Sequence, residues 1–290
     1  MKTVRDGKNT IIKEISDFDL GQTLESGQCF HFKSLDGGDF AVCARGRAAR
    51  IRQDGDSLIF FDADSSEVEK IWIPYFDLER DYAEIKRRLL KNDDRLSEAI
   101  ACQGGVRILN QEFTETLLSF IISQNKQIPQ IKSIVFAISE KYGSYIRDID
   151  GQPCYAFPEL KTLSQIGVGD FRELKTGFRA PYLFDACRWI TSGGLGEETF
   201  KGLDEAGARE TLKQIKGVGD KVANCVMLFS LGYRAAFPVD VWIKRIMEHL
   251  YFNGDDVSRN EIERFAREKY GEYGGYAQQY LFGAYRGARF

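Results

Sequence analysis

The stretch IKGVGDKVANCVMLFSLGYRAAFPVDVW, residues 215–242, sets a lysine and an aspartate 19 residues apart around an apolar run. Lys221 stands at the entrance of Val222–Leu231, and Asp240 sits inside Pro-Val-Asp-Val-Trp. A lysine has the wrong sign for the start of a helix, where the dipole favours acids. That field and partial burial would both favour the free amine over the ammonium. A free primary amine is a nucleophile that forms a Schiff base at a carbonyl-level carbon. Asp240 would accept the amine's proton or stabilise a developing cation. It would equally cap a helix beginning near Val241, and the chemistry alone weighs these two readings evenly. Ahead of Lys221, Gly217 and Gly219 flank Val218 in a turn that leaves the backbone bare and permits positive φ. The helix after such a turn points free N–H groups outward, a phosphate-binding arrangement. Alone, a Gly-x-Gly turn is more often an ordinary turn.

Two kinds of element must hold these groups. Residues 1 to about 75 carry short β-prone runs punctuated by glycine, and Asp54-Gly55 between AARIRQ and SLIFF signals a hairpin. From about residue 78 the period is helical: LERDYAEIKRRLLKN, FTETLLSFIISQN, QIKSIVFAISEKYG and PYLFDACRWITSGG repeat apolar residues at i, i+3, i+4 and i+7. SRNEIERFAREKYG opens with a capping box, Ser258 with Glu261, and closes on Gly271. The expected fold class is therefore α+β: an N-terminal antiparallel β domain with a following helix, residues 1–105, and a helical body, residues 106–290.

With 290 residues and 43% hydrophobic composition, the chain can bury a substantial core. No apolar run approaches a membrane span, and MKTVRDGKNTIIKE lacks the apolar segment of a signal peptide. An intracellular protein is expected, cytoplasmic, nucleoid-associated or nuclear. The six cysteines form no C-x-x-C pair, which disfavours zinc ribbons and iron–sulfur clusters and suits buried reduced thiols. His31 and His249 form no visible triad or metal site, and no cofactor is expected. The net charge of −3 argues mildly against nucleic acid, although it does not exclude a local basic face.

Glycine hairpin, lysine, apolar helix and Pro-Val-Asp together resemble the helix–hairpin–helix DNA glycosylases of the HhH-GPD superfamily, specifically the 8-oxoguanine DNA glycosylase branch. The similarity runs along the chain: ESGQCFHF at 25–32, GVRILNQEFTETLLSFIISQNKQI, TGFRAPYL and YAQQYLF resemble further segments of that branch in the same order. The resemblance implies a twisted β domain packed on two helical subdomains. It also implies a monomer that acts on double-stranded DNA containing 8-oxoguanine.

By the resemblance, the damaged nucleotide is flipped out of the duplex. Lys221 then attacks C1′, displaces the base and forms an imine, and β-elimination cuts the strand. Asp240 stabilises the oxocarbenium-like transition state. The Gly27 carbonyl accepts the N7 hydrogen that 8-oxoguanine has and guanine lacks. Phe282 and Cys225 sandwich the base, and Gln278 reads its Watson–Crick edge. Asn125 fills the gap in the helix, Phe178 wedges beside it, and Arg179 reads the orphaned cytosine. Gly217, Val218, Gly219 and Trp242 belong to the DNA-contacting set. Where the family has a second arginine this chain has Gln130, which lacks the cationic fork suited to cytosine acceptors. Weaker preference for cytosine opposite the lesion is therefore expected. Two alternatives are a glycosylase for another lesion, such as alkylated purines, and a non-catalytic hairpin module. The pocket residues count against the first, and the Lys221–Asp240 pair against the second.

Overall fold

Six strands form, with inward and outward side chains alternating most clearly in β2 and β6: β1 (Lys2–Asp6), β2 (Asn9–Lys13), β3 (Phe32–Ser34), β4 (Phe40–Ala44), β5 (Arg47–Asp54) and β6 (Ser57–Phe61). The computed structural model, which describes residues 1–288, joins them into one antiparallel sheet in the order β1-β2-β6-β5-β4-β3. Asp54 pairs with Ser57, and Gly55 takes φ +57°, so the hairpin forms where the Asp-Gly signal lies. Ile12, Ile51, Leu58 and Phe60 point from this sheet into a core shared with Leu24 and Trp72. The segment is less purely sheet than expected. Helix α1 (Leu20–Glu25), capped by the Asp19 carboxylate on the Gln22 N–H, interrupts it, and the chain is again helical through Ser65–Tyr75. The first is too short to show a helical period, and the second is broken by a π turn over Val68–Trp72.

The helical body comprises α2 (Tyr82–Asn92), α3 (Ser97–Gln103), α4 (Phe113–Ile122), α5 (Ile128–Tyr142), α6 (Ala180–Thr191), α7 (Glu205–Lys213), α8 (Asp220–Phe229), α9 (Val241–Tyr251), α10 (Arg259–Tyr270) and α11 (Gly274–Tyr285), with shorter turns between. One connected apolar core runs through it, and α2 and α3 contribute Tyr82, Ile85, Leu89, Ala99 and Ile100 to that core. Helix α8 sits at its centre: every residue from Val222 to Phe229 is buried, which accounts for the apolar run. Ser258 caps α10 by accepting the Glu261 N–H, and Gly271 ends it at φ +52°, as the sequence predicts. A hairpin of β7 (Tyr145–Ile149) and β8 (Gln152–Tyr155) was not legible from the sequence. It lies on the sheet, where Ile149 and Cys154 pack against Ala41, Cys43 and Ala48.

Sheet and helices are tied by Arg107, whose side chain is buried. Its guanidinium donates to the carbonyls of Ser16, Asp17, Asp77 and Arg80 and lies 4.3 Å above the Tyr82 ring. All but Cys102 of the cysteines are buried.

Candidate active site

Lys221 belongs to the first turn of α8, and Asp240 is the residue before α9, so two helix starts bring them to one place. Both line a cleft of about 1510 Å³ that separates the sheet from the helices. The Lys221 ammonium lies 3.2 Å from Ser123 Oγ and 5.1 Å from the Phe120 ring centre, and among the described residues it enters no ion pair. An amine held by a hydroxyl and an aromatic face, without a carboxylate clamp, stays available to react.

Asp240 satisfies the second of its two readings, the helix cap, outright. Oδ1 accepts the N–H groups of Trp242 (3.0 Å) and Ile243 (2.8 Å), capping α9. Both bonds use the same oxygen, which leaves Oδ2 outside the cap. Cap and cleft wall are thus one residue, and the capping bonds fix its carboxylate in the cleft that Lys221 also lines.

The hairpin before α8 works differently at its two glycines. Gly217 has φ +84°, and a Cβ there would stand 2.4 Å from the Tyr182 ring, so glycine is required both by conformation and by packing. Gly219 has φ −102°, an ordinary extended value, and nothing lies within 4 Å of a Cβ there. The expected positive φ is therefore confined to Gly217; at Gly219 the missing side chain simply leaves the start of α8 open. Val218 is buried and donates its N–H to Ile215.

At the far wall, Gly27 takes φ +80°, and a Cβ there would stand 3.2 Å from Phe282 Cε1 and 3.4 Å from an Arg286 guanidinium nitrogen. Gly27 and Phe282 thus face one another across the cleft wall. Cleft-lining side chains comprise six cations (Lys33, Lys126, Lys132, Lys221, Arg259 and Arg286) against four carboxylates (Glu25, Asp220, Asp240 and Glu263). The cleft is net positive in a chain of net charge −3, which removes the objection raised by the overall balance.

Residues 10–117 match the model of the 8-oxoguanine DNA glycosylase N-terminal domain, and residues 118–272 that of the HhH-GPD superfamily of base excision DNA repair proteins. The chain belongs to the 8-oxoguanine DNA glycosylase branch of the HhH-GPD superfamily. It is similar to the Clostridium acetobutylicum 8-oxoguanine glycosylase/lyase solved with double-stranded DNA containing cytosine opposite 8-oxoG. The two are 38% identical, with a TM-score of 0.94 over 99% of this chain and 98% of the other. An Arabidopsis thaliana N-glycosylase/DNA lyase is 29% identical over 282 residues, covering 92% of this chain and 77% of the relative. The Archaeoglobus fulgidus 3-methyladenine DNA glycosylase, at 21% identity and TM-score 0.78, shares the fold.

Within this glycosylase cleft the structure gathers Gly27, Asn125, Gly219, Lys221, Asp240, Trp242 and Phe282. Cys225 lies buried beneath its floor, within hydrogen-bonding contact of Lys221; burial pushes its thiol up to about 11, so it is a neutral wall. Gln278 is also buried, its Oε1 accepting the Gln279 side-chain amide at 2.8 Å. Asn125 adopts φ +51°, a conformation asparagine tolerates better than most residues. Trp242 is half-buried, with the Arg245 guanidinium 5.6 Å from its ring.

Phe178, Arg179 and Gln130, expected from the sequence to meet the opposite strand, lie outside the cleft lining. Phe178 is exposed (54%) and is covered on one face by the Arg179 guanidinium at 4.2 Å. Arg179 itself is buried, donating to the carbonyls of Gln124 (2.7 Å) and Thr176 (3.1 Å). Gln124 in turn donates to the Gly217 carbonyl at 3.2 Å, so the arginine holds the Asn125 loop against the hairpin. Gln130 is exposed at the start of α5, where its Oε1 accepts the Gln127 N–H. Sequence reasoning missed Ser123, Lys132 and Arg286 as cleft residues. The basic residues of NKQIPQIK were the available signal for Lys132; Ser123 and Arg286 carry none.

Proposed function

We propose that this protein is a bifunctional DNA glycosylase and abasic-site lyase that flips 8-oxoguanine out of duplex DNA and excises it through Lys221. The observation that carries this reading is the convergence of Lys221 and Asp240 in a net positive cleft whose opposite wall is Gly27 and Phe282. Relatives that bear the glycosylase/lyase name share this fold over nearly the whole chain.

Lys221 Nζ attacks C1′ of the flipped nucleotide as the bond to the base breaks, and Asp240 offsets the positive charge that grows on the sugar. Loss of a proton from nitrogen opens the ring to an imine, and β-elimination releases the 3′ strand. The Gly27 carbonyl accepts the N7 hydrogen of 8-oxoguanine, while an ordinary guanine would bring a lone pair to the same oxygen. Phe282 stacks on the base above the neutral Cys225 wall, and Gln278 reads its Watson–Crick edge. Asn125 enters the vacated stack with Phe178 beside it, and Arg179 reads the orphaned base while anchoring that loop. Residues 1–105 supply the Gly27 wall and residues 106–290 the chemistry. The enzyme works as a monomer inside the cell, where its DNA is. With Gln130 at a position the branch fills with arginine, it tolerates bases other than cytosine opposite the lesion.

Incubation with an 8-oxoguanine duplex and borohydride tests the mechanism, because borohydride reduces an imine to a stable cross-link. Wild type should be trapped and Lys221→Gln should not. An untrapped wild type, or a fully trapped variant, would overturn it.

A further inference from the structure

Behind the Gly27 wall, the sheet and the β7–β8 hairpin meet in a small buried cluster of Ala41, Cys43, Ala48, Ile149 and Cys154. The two cysteines, distant in sequence, touch: the Cys43 thiol donates a hydrogen bond to Cys154 Sγ. That bond, followed by the charges of Lys33, His31 and Arg147, holds Cys154 below the ordinary thiol range. The same bond and burial hold Cys43 above it. Arg147 is the cross-strand partner of Cys154 and also donates to the Asp62 carbonyl of the sheet. Two thiols in one cluster, one of them more readily deprotonated than the other, are what two-cysteine peroxide chemistry requires. The remaining buried thiols are different: Cys29 and Cys187 are pushed up to about 12, chiefly by burial.

We propose that Cys43 and Cys154 form an oxidation site at which hydrogen peroxide converts the thiol pair into a disulfide joining the sheet to the hairpin. The Cys154 thiolate attacks the peroxide oxygen, so that an S–O bond forms, the O–O bond breaks and water leaves once protonated. Cys43 Sγ then attacks the sulfenic sulfur of Cys154; the S–S bond forms, the S–O bond breaks, and a second water carries away the Cys43 proton. One peroxide is reduced to two waters as two thiols become one disulfide.

The cluster reaches the cleft through the β3–β4 pairing, where Ala41 lies opposite the cleft-lining Lys33, and through a ring contact. The Cys43 N–H donates to the His31 carbonyl at 2.9 Å, and His31 places its ring edge-on to Phe136 at 5.1 Å. Phe136 and Phe32, which follows His31, both line the cleft. Pulling β4 toward the hairpin therefore displaces the strand that continues from Gly27. The disulfide slows excision, a consequence that rests on the function proposed above, whereas the oxidation itself does not.

The test treats the full-length protein with hydrogen peroxide, alkylates the remaining thiols and reads intact and peptide masses. A mass loss of about 2 Da, located as a Cys43–Cys154 cross-linked peptide and reversed by dithiothreitol, is the expected result. Excision of 8-oxoguanine should slow roughly threefold or more in the oxidised protein and recover on reduction. Cys43→Ala and Cys154→Ala, checked for folding by circular dichroism, should abolish both the cross-link and the slowing. If either variant fails to fold, the wild-type masses decide alone. Alkylation of both thiols after peroxide, or a cross-link elsewhere, overturns the site. A Cys43–Cys154 cross-link with unchanged excision overturns the coupling to the cleft. Because borohydride trapping of reduced protein is scored separately, failure of the disulfide and failure of the glycosylase reading are distinguishable.

Discussion

At the scale of single residues, the proposed function assigns recognition and chemistry to different atoms, and substitutions should separate them. Gly27 sits at φ +80° with Phe282 against it, so Gly27→Ala adds backbone strain of about 1–2 kcal/mol and crowds the base pocket. We expect kcat/KM on 8-oxoguanine to fall about tenfold. Cleavage of a preformed abasic site, which needs Lys221 but no base pocket, should stay near wild type. Single-turnover assays on the two substrates would reveal the split; equal losses would return Gly27 to a purely structural role. Gln130 is exposed and bonded only to its own helix start, so Gln130→Arg introduces a guanidinium at little structural cost. The variant should gain about tenfold in preference for cytosine over adenine opposite the lesion, the value of one added bidentate base contact. Wild type that already rejects adenine as strongly would refute the reading. Lys221 and Asp240 were legible because their chemistry is unusual for their local positions. Cys225 and Gln278 read as base-facing only by resemblance, and the structure holds both below the cleft surface. Ser123 was illegible because nothing in its own stretch announces the lysine 98 residues away.

At the scale of elements, the site is made from helix starts. Helix α8 presents Lys221 at its first turn and α9 is capped by Asp240, so the apolar interiors of both helices decide where the two charges stand. This explains why a core-bound run is flanked by ionisable groups: the run fixes the mount and the ends carry the chemistry. It also yields a clean discrimination for Asp240. Asparagine caps a helix about as well as aspartate, so Asp240→Asn should change stability by no more than about 0.5 kcal/mol. It nevertheless removes the negative charge that the proposed mechanism sets against the sugar, and a loss of about a hundredfold in the rate of base excision is expected. Denaturant melts and single-turnover rates measured together would decide, since a residue that only caps would leave the rate untouched. The helical elements and the Asp-Gly hairpin were visible as periodicity and turn signals. The β7–β8 hairpin was not, because each strand is short, Pro153 interrupts the pattern, and its place against β5 depends on a contact far along the chain.

For the whole molecule, the cleft exists only while sheet and helices hold one relative position, because Gly27 belongs to one and Lys221 to the other. No sequence pattern showed what fixes that position; alongside the buried Gln28 side chain, which bonds to Arg107 and Leu109, a buried cation contributes the most hydrogen bonds. Arg107 spends its guanidinium on four backbone carbonyls, two from Ser16 and Asp17 after β2 and two from Asp77 and Arg80 before α2, and stacks on Tyr82. Carbonyls accept without charge, so the arginine's direct hydrogen bonds are to dipoles, with the Asp77 and Asp17 carboxylates acting on it only from nearby. Burial accordingly holds its affinity for the proton below that of a free guanidinium. Such an arrangement is costly to break from one side. Arg107→Met keeps most of the apolar stem but strips donors from four carbonyls at once, each a buried acceptor worth about 1–3 kcal/mol when left unsatisfied. Water entering the junction recovers part of this, so the expected loss is about 3–5 kcal/mol, in the range where a marginally stable domain begins to unfold. The readout that separates a staple from a merely stabilising residue is the order of events in urea. Trapping by borohydride should be lost at a lower urea concentration than the helical circular dichroism signal, because the two walls part before the helices melt. In wild type the two transitions should coincide. Coincident transitions in Arg107→Met would show that the helices and sheet hold together without it.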